Sequence, residues 1–166
     1  MDYAAFNKEF DKRMNIFDSY TFLYAQQHAS PLIMAIEHND MESVKFWVKA
    51  GKLKFDMFEL EFNFKNENIL HTTLNSYQNS HMSDGVDEEG EILWTRYKPL
   101  ELCVYGGKFD MFKYLMESGA NINEQLEEGY TILEFIFQEE KEYLGPGKHN
   151  KEGFDKIVKY VKSLDF

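Results

Sequence analysis

Any chemistry in this chain would have to be assembled from five histidines, one cysteine and 29 acidic residues. The histidines are His28, His38, His71, His81 and His149. No two are spaced as the HExxH pattern requires to set two zinc ligands on one helical face. A single cysteine, Cys103, excludes both a cysteine-rich zinc quartet and an intramolecular disulfide. It lies in an apolar run, where a small core residue belongs. LGPGKHN (144–150) contains Gly-x-Gly-Lys but lacks the flanking glycine spacing and the Ser/Thr of a phosphate-binding loop, so it reads as a turn. Adjacent acids recur at Glu88-Glu89, Glu127-Glu128 and Glu139-Glu140, as solvated loop acids do, with nothing to raise a pKa. The stretch DGVDEEGE (84–91) misses the one-three-five pattern and closing glutamate of a calcium loop. A histidine–carboxylate pair built on His71 or His81 is the remaining catalytic reading, and no motif stands behind it. The expectation is a protein without catalytic residues, metal or cofactor.

The charge balance sorts the partners. With 18 basic and 29 acidic residues the formal net charge is −11, which repels phosphate backbones and anionic lipid surfaces and attracts basic proteins. It also serves solubility. Residues 145–166 run the other way, with five lysines and three acids. A hydrophobic fraction of 43%, with 15 Phe and 10 Tyr, can build a core within one domain. The opening MDYAAFNKEFDKRMNIF is charged throughout and has no apolar signal-peptide core. No apolar run approaches the ~20 residues of a membrane span. A soluble, cytoplasmic protein, monomeric on its own and binding neither nucleic acid nor membrane, is expected.

The elements behind these residues repeat. SPLIMAIEHNDMESVKFWVKAGKL (30–53) aligns without a gap on KPLELCVYGGKFDMFKYLMESGAN (98–121). Pro31 falls on Pro99, Leu32 on Leu100, Ala35 on Cys103, Lys45 on Lys113 and Gly51 on Gly119. TILEFIF (131–137) starts a third copy, and NILHTTL (68–74) a fourth between the first two. Ser30, Asn68 and Thr131 are good helix N-caps, and Pro31 and Pro99 suit the first helical position. His38-Asn39 and Gly106-Gly107 would turn the chain with positive φ, and Gly51 and Gly119 would end second helices. Each unit reads as helix, turn, helix, glycine, loop. One unit cannot bury its apolar face alone, whereas stacked copies can.

A period near 33, a Pro-Leu opening and the Gly119-Ala120-Asn121-Ile122-Asn123 close resemble the ankyrin repeat. The likeness is best over Lys98 to Asn123 and covers 29–164 unevenly. Gly51 is followed by Lys52-Leu53 instead of Ala-Asn, and Phe135 stands where a small residue is usual. The resemblance implies an all-α helix-turn-helix solenoid of about four repeats, forming a single domain over 1–166. Residues 1–28 would be N-terminal capping helices, with Phe6, Phe10, Met14 and Phe17 at helical spacing. The middle repeat reads as degenerate, with a finger from about Asp84 to Tyr97. The last repeat carries an insertion at 139–153.

The resemblance also implies binding through hairpin tips and a concave face. The tips fall near Phe55–Lys65, with Phe58, Phe62 and Phe64, then Asp84–Tyr97 and Glu124–Tyr130. The expected partner-binding residues are Asp84, Asp87, Glu88, Glu89, Glu91, Trp94, Arg96 and Tyr97 in one tip, and Glu124, Glu127, Glu128 and Tyr130 in another. Aromatic anchors inside a charged rim suit a tight interface, and acidic charge speeds capture of a basic partner. The expected function is non-enzymatic binding of a basic protein, in its most specific form an immunity-type inhibitor of a bacterial toxin. An ankyrin adaptor or host-directed effector recognising a regulatory protein is the alternative.

Overall fold

A computed structural model of the chain describes residues 3–20, 29–52, 74–142 and 150–164. Most of NILHTTL, the aromatics Phe58, Phe62 and Phe64, His28, His71 and His149, and insertion residues 143–149 lie outside them. So do residues 21–28 of the expected N-terminal cap. The chain divides into two compact units, Met1–Thr73 with Tyr77–Tyr97, and Leu74–Ser76 with Lys98–Phe166.

The first unit contains α1 (Tyr3–Tyr20), α2 (Pro31–Glu37), α3 (Met41–Lys52), β1 (Gln78–Val86) and β2 (Ile92–Tyr97). The spacing of Phe6, Phe10 and Phe17 buries all three on one face of α1. Phe6 stacks on Phe46 at 5.5 Å between ring centroids, and Phe10 meets Trp47 edge-on at 5.7 Å. Pro31 opens α2 at its first position, and the Ser30 hydroxyl caps Ile33 N–H. Asn39 then takes φ 56°, the left-handed conformation that asparagine tolerates better than most residues. Asp40 caps α3 by accepting from Ser43 N–H at 3.1 Å and from the Ser43 hydroxyl at 2.6 Å. Gly51 differs from expectation: it lies inside α3, one residue before its end.

The second unit contains α4 (Pro99–Gly106), α5 (Phe109–Glu117), α6 (Ile132–Glu142) and α7 (Lys151–Ser163). Pro99 and Phe109 follow Pro31 and Met41 by 68 residues each, so both helices of the repeated unit start in phase. Gly107 turns α4 into α5 at φ 60°, and Gly119 closes the unit at φ 107°. Gly153 is glycine for a different reason. A Cβ there would clash with Gly107 O, so the start of α7 packs backbone to backbone on the α4–α5 turn. Asn150 completes the joint, its side chain accepting from Gly153 N–H and donating to Gly107 O at 3.1 Å each. Thr131 and Glu134 make a full capping box at the entry to α6.

The fold is not the all-α solenoid expected. Among the described residues, seven helices accompany a two-stranded antiparallel sheet, β1 with β2. The finger expected from Asp84 begins earlier, at Gln78, and is a β-hairpin. Local chemistry explains this. Asp87-Glu88-Glu89-Gly90 is a turn sequence, and ILWTRY (92–97) is rich in the β-branched and aromatic residues that strands favour. QNSHMSDGV gives no alternating pattern of its own and is recruited as the partner strand.

Candidate functional site

The hairpin is fixed at its base. Ser30 N–H donates to Asn79 O at 2.8 Å, and the Ser30 hydroxyl donates to Gln78 Oε1 at 2.6 Å. Gln78 and Ser80 are buried, and His81 is half-buried beside α2. Every residue of β1 beyond His81 is exposed. The turn holds itself. Asp87 N–H donates to Glu91 O, while one Asp87 carboxylate oxygen accepts from both Glu89 N–H and Glu91 N–H at 2.9 Å. Gly90 takes φ 83°. The Thr95 hydroxyl donates to Asp84 Oδ1 across the strands at 2.9 Å.

These bonds divide the predicted tip residues by role. Asp84 and Asp87 brace the hairpin. Glu88, Glu89 and Glu91 are exposed and form no side-chain hydrogen bond or ion pair among the described residues. The expected aromatic anchors are not the most exposed groups here. Trp94 and Tyr97 are half-buried, and the Arg96 guanidinium lies 5.6 Å from the centre of the Tyr77 ring. The exposed apolar groups are aliphatic: Met82 at 56%, Val86 at 62%, and Ile92 and Leu93 at 46% each. Sequence reasoning missed these four. The available signal was the apolar Ile92-Leu93 pair directly after the turn, read only as part of the finger.

The second tip, 124–130, is organised inward. Leu126 N–H donates to Tyr130 O at 2.8 Å, and Gly129, at φ 93°, closes the turn onto Leu126 O. Leu126 is buried beneath it. Lys98, itself buried, reaches Glu124 Oε2 at 3.3 Å and donates to Gln125 O at 2.7 Å. The Tyr130 ring stacks on Phe135 at 6.2 Å. Glu127 and Glu128 remain exposed. Within this tip, therefore, Glu124 and Tyr130 support structure and two glutamates face water.

Beside it Glu101 is buried at the N-terminus of α4. One carboxyl oxygen accepts from Lys98 N–H at 3.1 Å; lysine offers no acceptor in return, so only half of a capping box forms. Burial, with the charges of Glu128 and Glu127 adding to it, raises its pKa to about 7 against the stabilising Lys98 N–H bond. Burial also pushes Tyr105 up to about 12, reinforced by Glu101 and Glu128. No pattern of residue types marked Glu101 in advance, because its burial is set by packing alone.

Cys103 is wholly buried, and burial pushes its thiol up to about 12, away from the reactive thiolate. His81 Nδ1 is shielded from solvent and lies 3.3 Å from Glu37 Oε2, an ion pair when the ring is protonated, but it makes no hydrogen bond. Among the described residues no group of three or more His, Cys, Asp or Glu is arranged to hold a metal ion. Among them, too, no helix is long and apolar enough to cross a membrane. Compared with known proteins, the chain matches no family model, no curated protein and no solved structure.

Proposed function

We propose that this is a non-enzymatic binding module for a basic protein, with the hairpin 78–97 as its principal contact element. One observation carries the reading: Glu88, Glu89 and Glu91 stand exposed at the end of a hairpin whose base and turn are internally braced. Asp84 and Asp87 add to the same field, and no basic residue interrupts 84–91. A fixed cluster of that charge accelerates encounter with a basic surface and orients it. Glu127 and Glu128 on the second unit present the same sign.

The most specific form of this reading is an immunity-type inhibitor of a bacterial toxin, acting in the cytoplasm as a monomer by covering a basic active site. The resemblance of Lys98–Asn123 to the ankyrin repeat supports a binding scaffold, and the phased helix pairs at α2–α3 and α4–α5 support a repeated unit. An adaptor or host-directed effector that recognises a regulatory protein is the second reading. It shares the binding chemistry and differs in leaving the partner active.

Affinity capture at low and high salt tests the proposal, using the wild type beside a variant with Asp84, Glu88, Glu89 and Glu91 neutralised to Asn or Gln. The expected result is a basic partner retained at low salt, weakened by salt and lost from the variant. Binding that is indifferent to both changes would sink the acidic-tip reading. Inhibition of the captured partner's activity by the purified protein then separates inhibitor from adaptor.

A further inference from the structure

The hairpin is apolar on both faces at once, and that constrains the shape of what it binds. Opposed residues in an antiparallel pair share a face, and neighbours along a strand alternate. Ser83 opposes Trp94 and Val86 opposes Ile92, with a register irregularity in β1 between them. Ser83, Val86, Ile92 and Trp94 therefore lie on one face. Leu93, next to Trp94, lies on the other with Thr95, whose hydroxyl bonds Asp84; Met82 lies within a second register irregularity, between Asn79 and Ser83. Val86 and Ile92 are exposed on the first face and Leu93 on the second, and Met82 is exposed beside them.

An antiparallel hairpin that simply lies on a protein body has one apolar face packed and one polar face in water. This one leaves aliphatic side chains in water on both sides. With Met82 they are four of the six large hydrophobic residues exposed among the described residues. A flat partner surface could cover only one of the two faces. We infer that the outer half of the hairpin, Met82 to Leu93, inserts as a blade into a cleft of a basic protein, with the acidic turn leading. The five residues Met82–Val86 span roughly 15 Å of strand, which sets the depth such a cleft must have.

The cleft is basic at its floor and apolar at its walls. Glu88, Glu89 and Glu91 require cations where the turn ends, and Val86, Ile92, Met82 and Leu93 require aliphatic or aromatic contact on either side. A second copy of this chain does not fit: it would bring five acidic residues against five, inside molecules of net charge −11. The acids also keep this apolar hairpin soluble until the cleft is filled, as charges do beside exposed strands.

The inference rests on the proposed function and adds a shape to it. Its test places a photo-crosslinking amino acid singly at Val86, Ile92, Met82 and Leu93 of the full chain, in the cells that naturally make it. Lys113, exposed on α5, serves as the control position. The expected result is that all four hairpin positions join one and the same polypeptide. The peptides reached from Val86 and Ile92 should differ from those reached from Leu93, and basic residues should flank both sets. With Glu88, Glu89 and Glu91 replaced by Lys, the yield should fall roughly tenfold or more while the melting temperature of the free protein stays unchanged. Crosslinks from one face only, crosslinks to a second copy of the chain, or none above the control would each overturn the blade. One-sided crosslinks to a basic partner would leave the proposed function standing. Two-sided crosslinks insensitive to the charge reversal would instead remove the basic-partner reading.

Discussion

Two acidic tips with similar residue lists are used in opposite ways. At 124–130 the fold turns its apolar and aromatic groups inward: Leu126 is buried, Tyr130 stacks on Phe135, and Glu124 is held by Lys98. At 82–93 the fold braces the turn and the strand pair and leaves Met82, Val86, Ile92 and Leu93 in water. The first tip is a cover for its own unit. The second is a rigid projection whose apolar groups have no home in this chain's described residues. Composition therefore does not distinguish a loop that covers its own unit from one that leaves apolar groups in water; what distinguishes them is whether the apolar groups beneath the charges are already buried.

The largest expected effect comes from emptying the inward tip. Leu126→Ala should cost about 2–4 kcal/mol of folding free energy by urea denaturation, since it leaves a cavity under a tight turn. A loss below about 1 kcal/mol would mean that the 124–130 tip is as independent of the body as the hairpin, and the contrast would collapse.

A smaller effect, with a pH signature, is expected next to the same tip. Glu101 has a folded pKa of about 7 against an ordinary 4.5, so the folded state holds this proton more tightly than the unfolded chain. Stability therefore falls as pH rises from about 4.5 to 7, and the loss persists above that window. Glu101→Gln keeps an acceptor for Lys98 N–H and removes the charge. The variant should match the wild type below pH 4.5 and exceed it at pH 8, by about 1 kcal/mol once solvent screening is allowed for. Parallel stability–pH curves for the two proteins would refute the assignment.

The smallest expected effect is on the outward hairpin. Ile92→Ser or Leu93→Ser removes a large apolar side chain, yet should change stability by no more than about 0.5 kcal/mol, because neither is buried. Partner binding should weaken measurably in the same variants. A stability loss comparable to that of Leu126→Ala would show that the hairpin packs on its own chain.

Much of the helical framework was legible before any coordinates. Pro31 and Pro99 start helices, Asn39 and Gly107 turn them, and Gly119 ends one, because each is a local conformational requirement written in the residue itself. The buried stripe of α1 was legible for the same reason, as a period of three and four. The hairpin was legible only as a break in the helical pattern. β1 carries no alternating code, and a strand pair is defined by its partner as much as by its own residues. Gly153 shows a similar limit, since nothing near it in sequence reveals the backbone of Gly107 pressed against it.

The acidic residues of the site were readable one by one, but their duties were not. Sequence determined by itself the net charge, the lack of a second cysteine to pair with Cys103, the phase of the repeated helix pairs and the turns at Asn39 and Gly107, all of which depend on composition or on short-range sterics. Tertiary structure alone decided that Asp84 and Asp87 brace while Glu88, Glu89 and Glu91 face water, that Glu101 is buried beside other acids, and that four aliphatic side chains stay exposed on two faces of one hairpin. Burial is a property of what packs against a residue. That neighbour lies far away in the chain, as Gly107 does from Gly153.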